Sequence, residues 1–242
     1  MNILFISLGC DKNLSDSEEM LGLLTERGHN IVNSEEEADA IVINTCCFIH
    51  DAKEESVETI LEMAEYKKAG SLKALIVTGC MAQRYKEEII QEIPEVDAVL
   101  GTTSYGDIVK ALDEVLKGKS FQEFRDINEL PAVSASRVLT TGGHFGYLKI
   151  AEGCDKHCTY CIIPSLRGRF RSIPEERLIQ QAEYMASQGV KELILVAQET
   201  TVYGTDIYGK KTLHLLLKKL CGIKGIRWIR VLYCYPEEIY DE

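Results

Sequence analysis

Six of the nine cysteines fall into two patterns. In EGCDKHCTYCIIPSLRGRFRS, Glu152 to Ser172, Cys154, Cys158 and Cys161 are spaced C-x3-C-x2-C with no fourth cysteine close behind. Thiolates at such spacings suit zinc or an iron-sulfur cluster, and a closed site of either kind takes four protein ligands. Three ligands leave one coordination place open, which points to chemistry at the metal rather than a structural clip. Zinc with His157 or a distant cysteine as fourth ligand is the competing reading; His157 adjoins Cys158, so ligation by both is awkward. In the second pattern Cys10, Cys46 and Cys80 each close an apolar run: ILFISLGC, AIVINTC and ALIVTGC.

These runs are the elements that must position the thiols. Each is a short, nearly continuous Ile/Leu/Val segment, the pattern of a parallel strand buried on both faces. Helical patterns alternate with them. Asp16 and Glu19 have capping-box spacing ahead of Met20, Leu21, Leu23 and Leu24, with Gly28 as the stop. A second helix carries Glu54 and Glu55 early and Lys67 and Lys68 late, matching the macrodipole. A third spans about Gln83 to Ile93, and a fourth strand, DAVLG, leads to a helix from Gly106 to Leu116. This alternation predicts an α/β fold with a doubly wound parallel sheet over residues 1–118. Ligands of such sheets gather beyond the carboxyl ends of the strands, so three cysteines about 35 residues apart converge on one place. Buried cysteine is also a common small hydrophobe, and packing is the expected role of Cys47, Cys221 and Cys234.

Residues 119–143 are polar, rich in small residues and without sustained period, and read as a linker. From 144 to 242 three strand-helix units follow: FGYLKIA with the cysteine loop at its end, then KELILVAQ, then WIRVLYCYP. Chemistry at the carboxyl end of a strand is the habit of a (β/α) barrel, here a partial one. Arg167, Arg169 and Arg171 read as a solvated basic turn, with an acidic ligand as the alternative.

Composition narrows the class. The chain has 242 residues, 45% hydrophobic, with 27 basic against 38 acidic side chains and a formal charge of -11. That body repels phosphates and steers in basic partners. The N-terminus has no basic stretch ahead of its apolar run, so it fails as a signal peptide, and no run nears the ~20 residues of a membrane span. The expectation is a cytoplasmic protein with reduced cysteines and no membrane contact.

C-x3-C-x2-C with Tyr160 before the last cysteine, in a loop after the first strand of a barrel, resembles the radical S-adenosylmethionine (SAM) enzymes. The wider wording is similar to their methylthiotransferase branch: SLGCDKNLSDSEEMLG, INTCCFIHDAKEESVETILE, KIAEGCDKHCTYCIIPSLRGRFRS and ELILVAQETTVYG. It comes nearest to members that modify an aspartate of a ribosomal small-subunit protein. The resemblance implies a 4Fe-4S cluster on Cys154, Cys158 and Cys161 whose open iron takes SAM, with Tyr160 at the cofactor. It implies a second 4Fe-4S cluster on Cys10, Cys46 and Cys80 that carries the sulfur. An electron donor and a basic ribosomal protein are the implied partners, with nucleic-acid contact only through a C-terminal domain that this chain lacks. Cys47 departs from the family's usual small non-thiol residue, and the chain stops after three barrel units, so it reads as a fragment. Two rivals stay open: a transfer-RNA methylthiotransferase, and a two-cluster electron carrier.

Overall fold

The computed structural model describes residues 1–131 and 137–239. It divides into two compact units, Met1–Arg137 and Val138–Glu242.

The first unit alternates strand and helix as expected. In order it runs β1 (Asn2–Ser7), α1 (Asp11–Glu26), β2 (Asn30–Val32), β3 (Ala40–Thr45), α2 (His50–Lys68), β4 (Ala74–Gly79), α3 (Cys80–Arg84), α4 (Lys86–Glu92), β5 (Ala98–Leu100), α5 (Ile108–Leu116) and β6 (Phe121–Glu123). The strands form one parallel sheet in the order β2-β1-β3-β4-β5-β6. Strand order reverses between β1 and β3, which makes that gap the topological switch point where such folds bind ligands. Every residue of β3 and β4 is buried, which explains their nearly continuous apolar text. Ile3, Val42, Ile76 and Leu100 face α1 and α5 in one core. Ile41, Ile43, Leu75 and Val77 are buried on the opposite face, where α2 contributes Ile60 and Met63. Each such side chain contributes roughly 1.5–3 kcal/mol by leaving water.

Several boundaries differ from expectation. Helix α1 starts at Asp11 with Cys10 as its N-cap, so Asp16 and Glu19 lie inside it, buried, and form no capping box. Glu19 accepts a hydrogen bond from the Tyr105 hydroxyl at 2.6 Å. Glu18 is fully buried against Arg137, whose Nε donates at 2.7 Å. The first turn of α2 holds Asp51 rather than Glu54 and Glu55, because the helix opens at His50. The third helix is two, broken at Tyr85, and begins at Cys80. The segment read as a linker supplies β6 as the sheet's edge strand, and the units part at Arg137; its residues 132–136 lie outside the described part.

The second unit runs β7 (Phe145–Lys149), β8 (Ala151–Glu152), α6 (Ile163–Arg167), β9 (Arg171–Ser172), α7 (Glu175–Ser187), β10 (Glu192–Val196), α8 (Thr205–Tyr208), α9 (Leu213–Cys221) and β11 (Trp228–Val231). Strands β7, β10 and β11 are parallel and adjacent in chain order, the succession of a (β/α) barrel. The short antiparallel pair β8 and β9 brackets the cysteine loop. Among the described residues no helix is long and apolar enough to cross a membrane.

Candidate functional site

In the first unit the three predicted cysteines stand at the carboxyl edge of the sheet, on neighbouring strands. Cys10 follows β1, Cys46 directly follows β3, and Cys80 directly follows β4. The β1–α1 turn packs straight onto Cys46: a Cβ added to Gly9 would lie 2.7 Å from the Cys46 Cβ and 3.1 Å from its Sγ. Ser56 of α2 grips the Cys46 backbone, accepting from its N–H at 3.0 Å and donating to its carbonyl at 2.9 Å. Gly79 turns the chain into Cys80 at φ +94; a Cβ there would meet the Asn44 side-chain oxygen and the Thr45 backbone at 2.3 to 2.8 Å. Cys10 is exposed, Cys80 half-buried and Cys46 buried.

Cys47 is buried beside this group. Burial pushes its thiol up to about 11; the neighbouring Cys80 and Cys46 thiols add to the effect and Arg84 offsets it. Cys221, at the end of α9, and Cys234 are exposed, apart from either triad in sequence; Cys234 contacts the Thr200 hydroxyl at 3.4 Å.

In the second unit Cys154, Cys158 and Cys161 occupy one loop after β8. Its ends are pinned by Cys154 N–H donating to Gly168 O at 3.1 Å and Phe170 N–H donating to Asp155 Oδ1 at 3.1 Å. Cys161 N–H closes a turn on Cys158 O at 2.9 Å, and His157 takes the left-handed φ of +48. Burial raises the proton affinity of Cys154, the Lys156 backbone N–H opposes it, and the charges of Glu199, Cys161 and Cys158 raise it further. Tyr160 is 86% exposed.

Arg167 is not part of a solvated turn. It is buried with Lys149 and Glu152: Glu152 Oε1 lies 2.5 Å from Lys149 Nζ and 3.4 Å from Arg167 Nη1. Burial alone would raise the Glu152 carboxyl, but the Lys149 and Arg167 charges outweigh it and hold it below the usual carboxylate range. Buried charges require such pairing. The ion cluster fixes both sides of Gly153, where an added Cβ would fall 2.0 Å from Arg169 O. Arg171 donates to the carbonyls of Arg169 and Arg167.

Beside the loop is a cleft of about 260 Å³ lined by Lys156, Phe170, Glu199 and Glu238 among others. Lys156 Nζ lies 2.8 Å from Glu238 and 3.7 Å from Glu199, and 4.6 Å from the centre of the Tyr235 ring. Glu199 has its carboxyl raised, by burial first. Sequence reasoning singled out neither Lys156 nor Glu199. The available signal was position, since Glu199 lies just past the carboxyl end of β10.

The donors suit iron and sulfide: thiolates are the soft ligands such clusters take. A single tetrahedral zinc, with Zn–S near 2.3 Å, needs sulfurs about 3.8 Å apart. Among the described residues, three metal-ligating atoms come within 4.8 Å of one another at His50, Asp51 and Glu54, all exposed, and not in either cysteine triad.

Residues 2–101 match the uncharacterized protein family UPF0004, and residues 148–241 match the radical SAM superfamily. Two units and two triads thus define a radical SAM protein with a second cysteine-bearing domain ahead of the barrel. Over all 242 residues the chain is 67% identical to ribosomal protein uS12 methylthiotransferase RimO of Lachnoclostridium phytofermentans, covering 55% of it. It is 54% identical to the protein of the same name from Clostridium botulinum, over 98% of this chain and 53% of that one. The chain belongs to the radical SAM methylthiotransferase family, and it spans about half the length of the curated relatives it matches. Its fold is similar to that of the radical SAM methyltransferase TsrM from Kitasatospora setae, solved with cobalamin and a 4Fe-4S cluster bound. The TM-score is 0.59 at 11% identity, over 94% of this chain and 55% of that one, a likeness of fold alone.

Proposed function

We infer that this chain carries the two cluster sites of a methylthiotransferase that modifies an aspartate of a ribosomal small-subunit protein. The observation that carries the reading is the pair of separate three-cysteine sets in different units, the first at the carboxyl ends of three neighbouring parallel strands and the second in one loop that follows β7 and the short β8. Cys10, Cys46 and Cys80 would hold one 4Fe-4S cluster, and Cys154, Cys158 and Cys161 the other. When bound, the second cluster supplies an electron and an open iron for SAM, and the first an open iron for the sulfur to be transferred.

The chain's own residues then have definite tasks. The Lys149, Glu152 and Arg167 ion cluster keeps the loop in place while its thiolates bind. Glu199 sets a carboxylate beside that loop for a cationic group of the cofactor, Lys156 lines the same cleft, and the exposed ring of Tyr160 is available to stack on the cofactor. At about 260 Å³ the cleft is smaller than most ligand pockets, so the remaining length seen in the relatives is expected to add walls to it. An acidic body of charge -11 suits a basic protein substrate in the cytoplasm better than transfer RNA.

Anaerobic reconstitution should load about eight irons, four per cluster. Given SAM and a reductant, the chain should form 5'-deoxyadenosine. Cys158→Ala should lose half of the iron and all SAM cleavage; unchanged iron in that variant would sink the assignment. For the substrate, the chain extended by the remaining segment of its 67% identical relative is offered both the ribosomal protein and transfer RNA. A methylthio mass on the protein supports this reading. Methylthio-adenosine in the RNA replaces it with the transfer-RNA activity, and redox cycling without deoxyadenosine replaces it with an electron carrier.

A further inference from the structure

The backbone ladders of the first unit stop just short of its cysteines. Pairing of β1 with β3 ends at Ser7 and Asn44, and pairing of β3 with β4 ends at Thr45 and Gly79. Past those pairs, one buried side chain spans all three ligand-bearing ends. Asn13, the third residue of α1 and fully buried, donates through Nδ2 to Leu8 O at 3.1 Å and to Thr45 O at 3.0 Å. Its Oδ1 accepts from the Cys80 thiol, with Sγ at 3.8 Å. Leu8 lies two residues before Cys10, and Thr45 immediately precedes Cys46.

The orientation of this amide is fixed by its partners. Both amide hydrogens point at carbonyl acceptors, and a flipped amide would set oxygen against oxygen at two places. The residue is itself held: Asn44 Nδ2 donates to Asn13 O and to Ser17 Oγ, each at 2.9 Å. The Asn44 side-chain oxygen in turn packs against Gly79, the residue before Cys80. A buried amide is costly unless its donors are used. An apolar side chain could fill this volume, but it could not tie the ends of β1 and β3 together beside Cys80.

We propose that Asn13 is the positioning residue of the first cysteine site, setting the spacing of Cys10, Cys46 and Cys80 where the sheet's own hydrogen bonds end. The proposal rests on the reading of these three as ligands of one cluster. Its reach is specific to that site, because every partner of Asn13 named above belongs to the first unit.

The test uses the chain carrying Cys154→Ala, Cys158→Ala and Cys161→Ala, so that all iron counted belongs to the first site. This parent is compared with the same chain carrying Asn13→Asp, which keeps the shape but has no N–H donors, or Asn13→Ser, which is too short to reach three partners. After anaerobic reconstitution with iron and sulfide, the readouts are iron per chain, the rate of iron loss to a chelator and the electron paramagnetic resonance spectrum of the reduced cluster. Thermal melting of the iron-free chains is followed by circular dichroism. The parent should hold about four irons. Both variants should still melt cooperatively, at a lower temperature than the parent because the Leu8 and Thr45 carbonyls lose their donor, yet stay folded at the assay temperature; there they should lose iron about 10–100-fold faster, as the loss of a partner that orients a metal ligand generally causes, and show an altered spectrum. Variants that keep the parent's iron, release rate and spectrum would overturn the proposal. Variants unfolded without iron would also overturn it, since Asn13 would then be a core residue only. A parent that takes up no iron would instead refute the cluster reading, and the proposal with it.

Discussion

Cys154, Cys158 and Cys161 lie within one eight-residue stretch, held by a few hydrogen bonds across the base of a single loop. Cys10, Cys46 and Cys80 follow three strands about 35 residues apart and stand along one edge only because β1, β3 and β4 are neighbours in one parallel sheet. The first arrangement is a property of a segment and the second of a fold. Damage to a core should therefore reach the two sites unequally, and the contrast can be tested by separating local from tertiary causes.

The largest difference is expected when tertiary structure is removed altogether. A peptide spanning Glu152 to Ser172 retains all three thiols of the second triad at their spacing, so with iron and sulfide it should assemble a cluster visible by absorption and paramagnetic resonance. A peptide around Cys46 should assemble none at the same concentration, because the loop-closure cost of bringing in Cys10 and Cys80 has been left to the sheet. Equal uptake by both peptides would break the comparison.

Next in size are the glycines that lead into the cysteines. Gly79→Ala forces a Cβ to 2.3 Å from the Asn44 oxygen at φ +94. The left-handed strain alone costs about 1–2 kcal/mol, and with the clash the loss should be about 3 kcal/mol or more, read as a lower denaturation midpoint for the first unit. Gly153→Ala meets the Arg169 and Gly168 carbonyls at 2.0 and 2.5 Å. It should remove iron from the second triad while the first unit's midpoint stays put.

A smaller effect isolates Cys46. Ser56→Ala leaves the buried Cys46 N–H without the hydroxyl it now reaches at 3.0 Å, a loss of about 1–3 kcal/mol. Chelator release of iron from the first triad should quicken, and release from the second should not change.

What could be read from the sequence follows the same division. The strand runs were legible because β3 and β4 are buried on both faces and so are largely apolar, and the cysteines at their ends lie where expected, at the sheet's carboxyl edge. Strand β2 was not, since its three residues pair with β1 alone at the sheet's edge and stay largely exposed. The start of α1 was misplaced because Asp16 and Glu19 look like surface capping residues. Burial there is set by groups far along the chain, with Tyr105 lying 86 residues from Glu19 and Arg137 lying 119 from Glu18. Arg167 was misread for a similar reason, since its partner Glu152 sits across the cysteine loop. Asn13 gave no signal at all: its three partners lie 5, 32 and 67 residues away.

The smallest effect is expected at the opposite edge of the same sheet. Asp39, just before β3, accepts from the Asn2 N–H at 2.8 Å and from Lys73 Nζ at 2.6 Å, tying the amino ends of β1, β3 and β4. The Lys73 hydrogen bond, then that from Asn2, holds its carboxyl below the ordinary value. The folded chain thus binds the proton less readily than the unfolded one. The stability Asp39 contributes is present above the unfolded value near pH 4 and is lost as pH falls through the lower folded one. Because the pair is partly exposed, Asp39→Asn should cost no more than about 1 kcal/mol at neutral pH, and the difference from the parent should fade in acid melts. Iron retention at Cys10, Cys46 and Cys80 should be unchanged, because the strands between the two edges are paired along their length and their carboxyl ends are tied by Asn13 and Ser56 instead. Should Asp39→Asn loosen that iron as much as Ser56→Ala does, the site would depend on the sheet as a whole and not on its carboxyl edge.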